Sequence, residues 1–168
     1  KLTLLTSLSV SAGAFAQSQT VSGNLTVTGK QNQGLNTSAT GAISHAEGRE
    51  TIASGYSSHA EGILTEASGS FSHAEGKGTI AAGRNSHAEG VETIAMGDLS
   101  HAEGLSTVAA GRGAHAQGDN TQANGDFSFA AGRNAIAEHD LTFVWSDGSF
   151  GIPALGGPYS SDTNNQFK

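Results

Sequence analysis

The chain has 168 residues, of which 24 are glycine and 6% aromatic, and it contains no cysteine. A single domain of this length lacks the large apolar side chains of a thick core, and it has no disulfide or thiolate chemistry to draw on. The formal net charge is −7, with only eight scattered Lys and Arg, so no basic stripe exists and nucleic acid is excluded as a partner.

The first element is an export signal. Lys1 precedes an apolar stretch, Leu2 to Ala16, that ends Ala14-Phe15-Ala16-Gln17, an A-x-A cleavage pattern, so residues 1–16 read as a signal peptide. The competing reading is an apolar strand of the mature protein. No later segment reaches the ~20 apolar residues that span a bilayer. Membrane attachment is therefore expected only through a part not present in this sequence. Residues 17–42 form an N-terminal β segment and linker. Within them, Val21, Leu25 and Val27 alternate with polar residues as in short strands, and 31–42 is a loop or a first irregular turn.

From about Ile43 to His139 the chain repeats every 14 residues. Ser-His-Ala-Glu-Gly occurs five times, around His45, His59, His73, His87 and His101, and a sixth copy around His115 reads Ala-His-Ala-Gln-Gly. A second half-unit, Thr-x-Ala-x-Gly, follows each copy, as in Thr51 to Gly55. A period this strict specifies a solenoid whose copies stack on one another. The glycine density excludes helix, so each unit is expected to be a pair of five-residue strands joined by tight turns. Strand alternation then assigns the faces. Ala46, Ala53, Ala60, Ala67, Ala74, Ala81, Ala88, Ala95, Ala102, Ala109, Ala116 and Ala123 recur at seven-residue intervals and form the interior of a flattened coil. Two outer faces remain. One is variable, with a column of Ile52, Glu66, Ile80, Ile94, Val108, Gln122 and Ile136. The other is nearly uniform: His45, Glu47, His59, Glu61, His73, Glu75, His87, Glu89, His101, Glu103, His115 and Gln117. A face repeated without drift suits a partner surface that is itself repeated.

These repeats resemble the head repeats of trimeric autotransporter adhesins of the YadA type, where the corresponding residues are Ser-Val-Ala-Ile-Gly. They are also similar to repeats of phage tail fibres and bacterial surface fibres. The resemblance covers about Ile43 to His139. It implies an all-β fold, a left-handed parallel β-roll solenoid with 14-residue turns, homotrimeric around a threefold axis. It also places His45 and Glu47, with their equivalents, at the axis. An apolar seam has here become an acid/base seam. About seven turns at ~4.8 Å each would make a rod of roughly 34 Å. Residues 140–168 resemble the C-terminal cap that follows such rolls and continue into a further segment; Phe143, Trp145 and Phe150 bring the large side chains that cover the last open rung.

Three roles are open to the His/Glu ladder. The favoured one is structural, with rings of histidine and glutamate hydrogen-bonded between chains. The second is a metal site at His45, His59, His73, His87 or His101, binding Zn²⁺ or Ni²⁺; ions in adjacent layers would crowd one another, so no metal or other cofactor is expected. The third, a catalytic His/Glu dyad, lacks a singular nucleophile or cleft, since Ser44 should point inward. Ice binding is discounted because the single Thr of each turn also points inward, and polysaccharide cleavage because no carboxylate groove or longer turn is visible. His139, at a glycine position, is assigned a structural hydrogen bond.

The functional expectation is a non-enzymatic, secreted or cell-surface fibre module. Its partners would be itself, as a homotrimer, and an unknown host-surface, matrix or glycan receptor. The alternative is a purely structural spacer of a surface appendage or virion fibre.

Overall fold

The computed structural model describes residues 29–148 and the strand Tyr159–Ser160. Residues 1–16, read above as a signal peptide, the strands expected around Val21 to Val27, and Phe150 lie outside the described residues. The fold is a parallel β-solenoid. Five-residue strands recur every 14 residues from Gln31–Leu35, through His45–Arg49, to Phe143–Asp147, and nine of them form one sheet. Shorter strands, from Ser38–Ala39 through Ile52–Ala53 to Tyr159–Ser160, form a second nine-stranded sheet. Every pairing is parallel and joins residues 14 apart, such as His59 with His73 and Ala60 with Ala74, except that Tyr159–Ser160 pairs with Ala135 and Ile136, 24 residues before it. Among the described residues no helix is long and apolar enough to cross a membrane.

The interior is the expected alanine ladder. The twelve alanines at seven-residue spacing from Ala46 to Ala123 are fully buried. Along this ladder the space between the two sheets is filled by single methyl groups, so the hydrophobic gain per residue is small and is collected by repetition. The inward Thr51, Ser44 and their equivalents are buried too. Five of the serine hydroxyls, Ser100 excepted, are satisfied locally: Ser58 Oγ donates to the Gly55 carbonyl at 2.8 Å and Ser72 Oγ to Gly69 at 2.7 Å, and Ser86 and Ser128 repeat the bond. Ser44 does the same toward Gly41 at 2.7 Å, which turns it away from the His45 face as alternation requires.

Glycine is obligatory at two places in the turn. Gly76 has φ 108°, and a Cβ there would overlap the carbonyl oxygen of Gly90 on the next rung. Gly69 has an ordinary φ, yet a Cβ would strike the backbone of Gly83. The rungs therefore touch backbone to backbone at both strand ends.

Three expectations are corrected. The second strand of each unit has two residues in most rungs, not five, because successive N–H groups converge on one acceptor. Ser54 and Gly55 both donate to the Ala67 carbonyl, and the ladder ends there. The roll also begins earlier than Ile43. Gln31–Leu35 pairs in register with His45–Arg49, so the segment read as a loop or irregular turn is a full rung. It continues beyond His139 as well: Phe143–Asp147 pairs in register with Phe129–Arg133. Phe143 and Trp145 are thus strand residues of a ninth rung. The side chain that fills the interior there is Val144, fully buried at an alanine position.

Candidate functional site

The His/Glu face is built by parallel, in-register pairing. Because His45 pairs with His59 and Glu47 with Glu61, and so on up the sheet, identical side chains stand directly above one another. The six imidazoles from His45 to His115 stack in one column. Their ring centroids are 4.7–4.9 Å apart and their planes lie within 2–16° of parallel. The column continues past the histidines: His115 meets Phe129 edge to face at 5.0 Å, and Phe129 stacks on Phe143 at 4.9 Å. The neighbouring column runs Gln33, Glu47 to Glu103, Gln117, Ala131 and Trp145. Trp145 is 56% exposed on this same face.

The carboxylates pair along the ladder within one chain. His73 Nε2 lies 3.4 Å from Glu61 of the rung before, His87 3.9 Å from Glu75, His101 4.0 Å from Glu89 and His115 3.6 Å from Glu103. At the N-terminal end His45 approaches Glu47 of its own rung, at 3.5 Å. These are close approaches, ionic only where the histidine is protonated, rather than formed hydrogen bonds, and Nε2 of each of the six histidines is covered without a hydrogen-bond partner. The side chains keep about a third of their surface: 30–36% for the histidines and 33–36% for the glutamates in these pairs. Pairing of His and Glu between chains was the sequence expectation; within one chain, glutamate already reaches the next rung's histidine.

Stacking at 4.8 Å makes protonation of one imidazole oppose that of the next. Two unit charges at about that distance repel by roughly 1 kcal/mol in a water-like medium and about 3 kcal/mol at an effective dielectric of ~20. Burial, and then the neighbouring His73, hold His59 below the usual histidine range, against the attraction of Glu61. His115 is held down by burial and then by His101, against Glu103. Beside the ladder runs a shallow open groove of about 650 Å³, floored by the glycine column and walled by Glu61, Glu75, Glu89, Glu103 and Gln117.

The other outer face carries Ile52, 42% exposed, in the column that ends at the nearly buried Ile136. A further surface column does not follow from strand alternation. At one corner of the turn, Ile43, Phe71, Leu99, Phe127 and Leu141 all stand exposed in a left-handed conformation, with φ between 54° and 62°. Their recurrence at a double, 28-residue step from Ile43 to Phe127 was the available signal. His139 lies at the glycine position expected of it, and its carbonyl accepts the Thr142 hydroxyl at 2.7 Å.

A two-sheet parallel solenoid with 14-residue turns, an alanine interior and one uniform outer ladder defines a class of stacked-repeat fibre module. Within that class, the model of the YadA head domain repeat matches residues 46–63, 67–86, 88–114 and 111–135, just over half of the chain. The protein belongs to the YadA head repeat family, a family of surface-exposed structural adhesin modules rather than enzymes. No curated protein matches the chain.

Proposed function

We propose that this chain is the head module of a homotrimeric surface adhesin, with the His/Glu ladder facing the threefold axis and the corner and isoleucine columns facing outward. One observation carries the reading: the ladder is the surface that repeats without drift, and its side chains keep a third of their area uncovered in the single chain. A second rung-for-rung copy would cover that remainder layer by layer. The exposed Trp145, and Phe129 and Phe143 in the adjoining column, give the same face an apolar end, which favours association. The outward columns then supply the contact area for a host-surface, matrix or glycan receptor.

The solution mass tests the assembly. Light scattering of the folded protein at neutral pH is expected to give three times the 16.9 kDa of one chain. A stable monomer would overturn the axis assignment and leave the ladder as a free, ligand-accessible surface. Whether the outward columns bind or merely extend is a separate matter. The even repetition of the roll also suits a spacer, and changing its length separates the two.

A further inference from the structure

The ladder holds more than an acid/base seam. Three groups of metal-ligating side chains bring their donor atoms within 4.8 Å of one another: His59, Glu61 and His73; Glu75, His87 and Glu89; and His101, Glu103 and His115. They use nine consecutive positions of the ladder, with none shared and none skipped. A cation on every rung would crowd its neighbours, which is the objection to metal that the sequence raises. Grouping by threes removes it, since three ions spread over the rungs from His59 to His115 lie roughly 6–8 Å apart at the ~4.8 Å strand spacing.

We propose that each chain binds three first-row divalent transition-metal ions, of the Zn²⁺ or Ni²⁺ kind, at these three groups. The donor sets favour such ions. Imidazole nitrogen with carboxylate oxygen selects Zn²⁺, Ni²⁺ or Cu²⁺ over Mg²⁺ and Ca²⁺, which prefer all-oxygen shells. Two His and one Glu with an open fourth position is an established zinc arrangement. Nε2 of every histidine involved has no hydrogen-bond partner in the chain, so the lone pair of its neutral form is not already committed. Donors within 4.8 Å must close to about 3.4 Å around a tetrahedral ion with bonds of ~2.0–2.1 Å, a movement within reach of side-chain rotation. The middle group, with two carboxylates and one imidazole, is the weaker zinc site and fills last, both for its ligands and because it lies between two bound cations.

All nine ligands come from one chain, so the inference does not rest on the trimer. Untagged protein, titrated with ZnCl₂ at neutral pH by calorimetry, is expected to saturate at three ions per chain, with the third binding at least tenfold more weakly. Substituting His87→Ala should lower saturation to two while the circular-dichroism spectrum of the roll stays unchanged. If that variant fails to fold, Co²⁺ added to the unaltered protein gives a second readout: three equivalents should produce the visible bands of low-coordinate Co²⁺ with nitrogen ligands. No binding overturns the proposal, as does saturation unaffected by H87A in folded protein. Saturation at one ion per three chains overturns it too, because that ratio belongs to ions held on the axis by ligands from three subunits. A light-scattering mass on the same samples keeps failure of the metal sites distinct from failure of the trimer.

Discussion

The two glycines Gly76 and Gly78 sit two residues apart, yet they differ sharply in what surrounds them. Gly76 has φ 108°, and a Cβ there would meet the backbone carbonyl of Gly90, which has no rotamer by which to withdraw. Gly78 has φ 67°, and the nearest atom to an added Cβ is the Glu92 side chain at 3.7 Å, ordinary contact. Moreover, Gly78 occupies a corner position that non-glycine residues fill on most other rungs, among them Leu64, Glu92 and Asn120 with φ of 55–58°. Gly78→Ala therefore costs the left-handed penalty of about 1 kcal/mol, partly offset by the lower entropy of the unfolded chain. Gly76→Ala adds backbone strain of roughly 1–3 kcal/mol to a forced separation of rungs comparable to overpacking, another ~1–3 kcal/mol. The expected total is about 2–6 kcal/mol. Urea unfolding followed by circular dichroism measures both variants. Because each rung contacts only its neighbours, Gly76→Ala should also divide the single transition into two, as the roll uncouples between His73–Lys77 and His87–Val91. Equal losses for the two variants would refute the claim that backbone contact between rungs, rather than conformational freedom, demands glycine at Gly76.

Two further outcomes are expected. His59 is surrounded by His45, His73, Glu47 and Glu61, and its folded pKa lies below 6.5. In acid the unfolded chain therefore takes up a proton before the folded chain does, so the stability present above about pH 6.5 falls as the pH drops below it. The melting temperature should decline between about pH 7.5 and pH 5, less steeply in His59→Gln than in the unaltered protein, and an equal or steeper decline in H59Q would contradict the assignment. Separately, removing two whole units, residues 59–86, keeps both the 14-residue register and the 28-residue alternation of the corner column, so the roll should refold shorter. A spacer then retains binding with reduced reach, whereas an adhesive surface loses avidity with the columns removed; cell or matrix adhesion at matched surface density distinguishes the two.

How far the sequence anticipates this fold depends on which forces act locally. The interior was legible because alanine recurs every seven residues and a strand alternates with period two, so faces follow from spacing alone. The His/Glu column was legible for the same reason. The corners were not. Leu64, Phe71, Leu99 and Phe127 adopt a left-handed conformation that such side chains ordinarily avoid. A contact distant in sequence holds them there: Leu64 N–H donates to the Arg49 carbonyl, Phe71 to Tyr56, Leu99 to Arg84 and Phe127 to Arg112. The first rung was missed on similar grounds. Its register with the next rung comes from the backbone, so Gln31–Leu35 joins the roll without the motif. The direction of the carboxylates was hidden as well, because alternation fixes the face of Glu61 but not the rotamer that carries it toward His73.

The same uniformity that makes the ladder legible limits what it can specify. Five rungs carry the identical His/Glu pair, so a neighbouring chain displaced by one rung, about 4.8 Å, would meet almost the same surface. A seam of repeated pairs can select how many chains assemble, yet it leaves their axial alignment nearly degenerate. What breaks the degeneracy lies at the two ends. Gln31 and Gln33 occupy the ladder columns on the first rung, while Phe129, Phe143 and Trp145 occupy them on the last two. A one-rung slip would set His115 against Phe129 and leave Phe143 of one chain in water, a loss on the order of 2 kcal/mol per chain by apolar area. In the trimeric reading, then, the polar ladder and the aromatic end act on different aspects of assembly. The ladder repeats the contact, and the aromatic end sets where it starts.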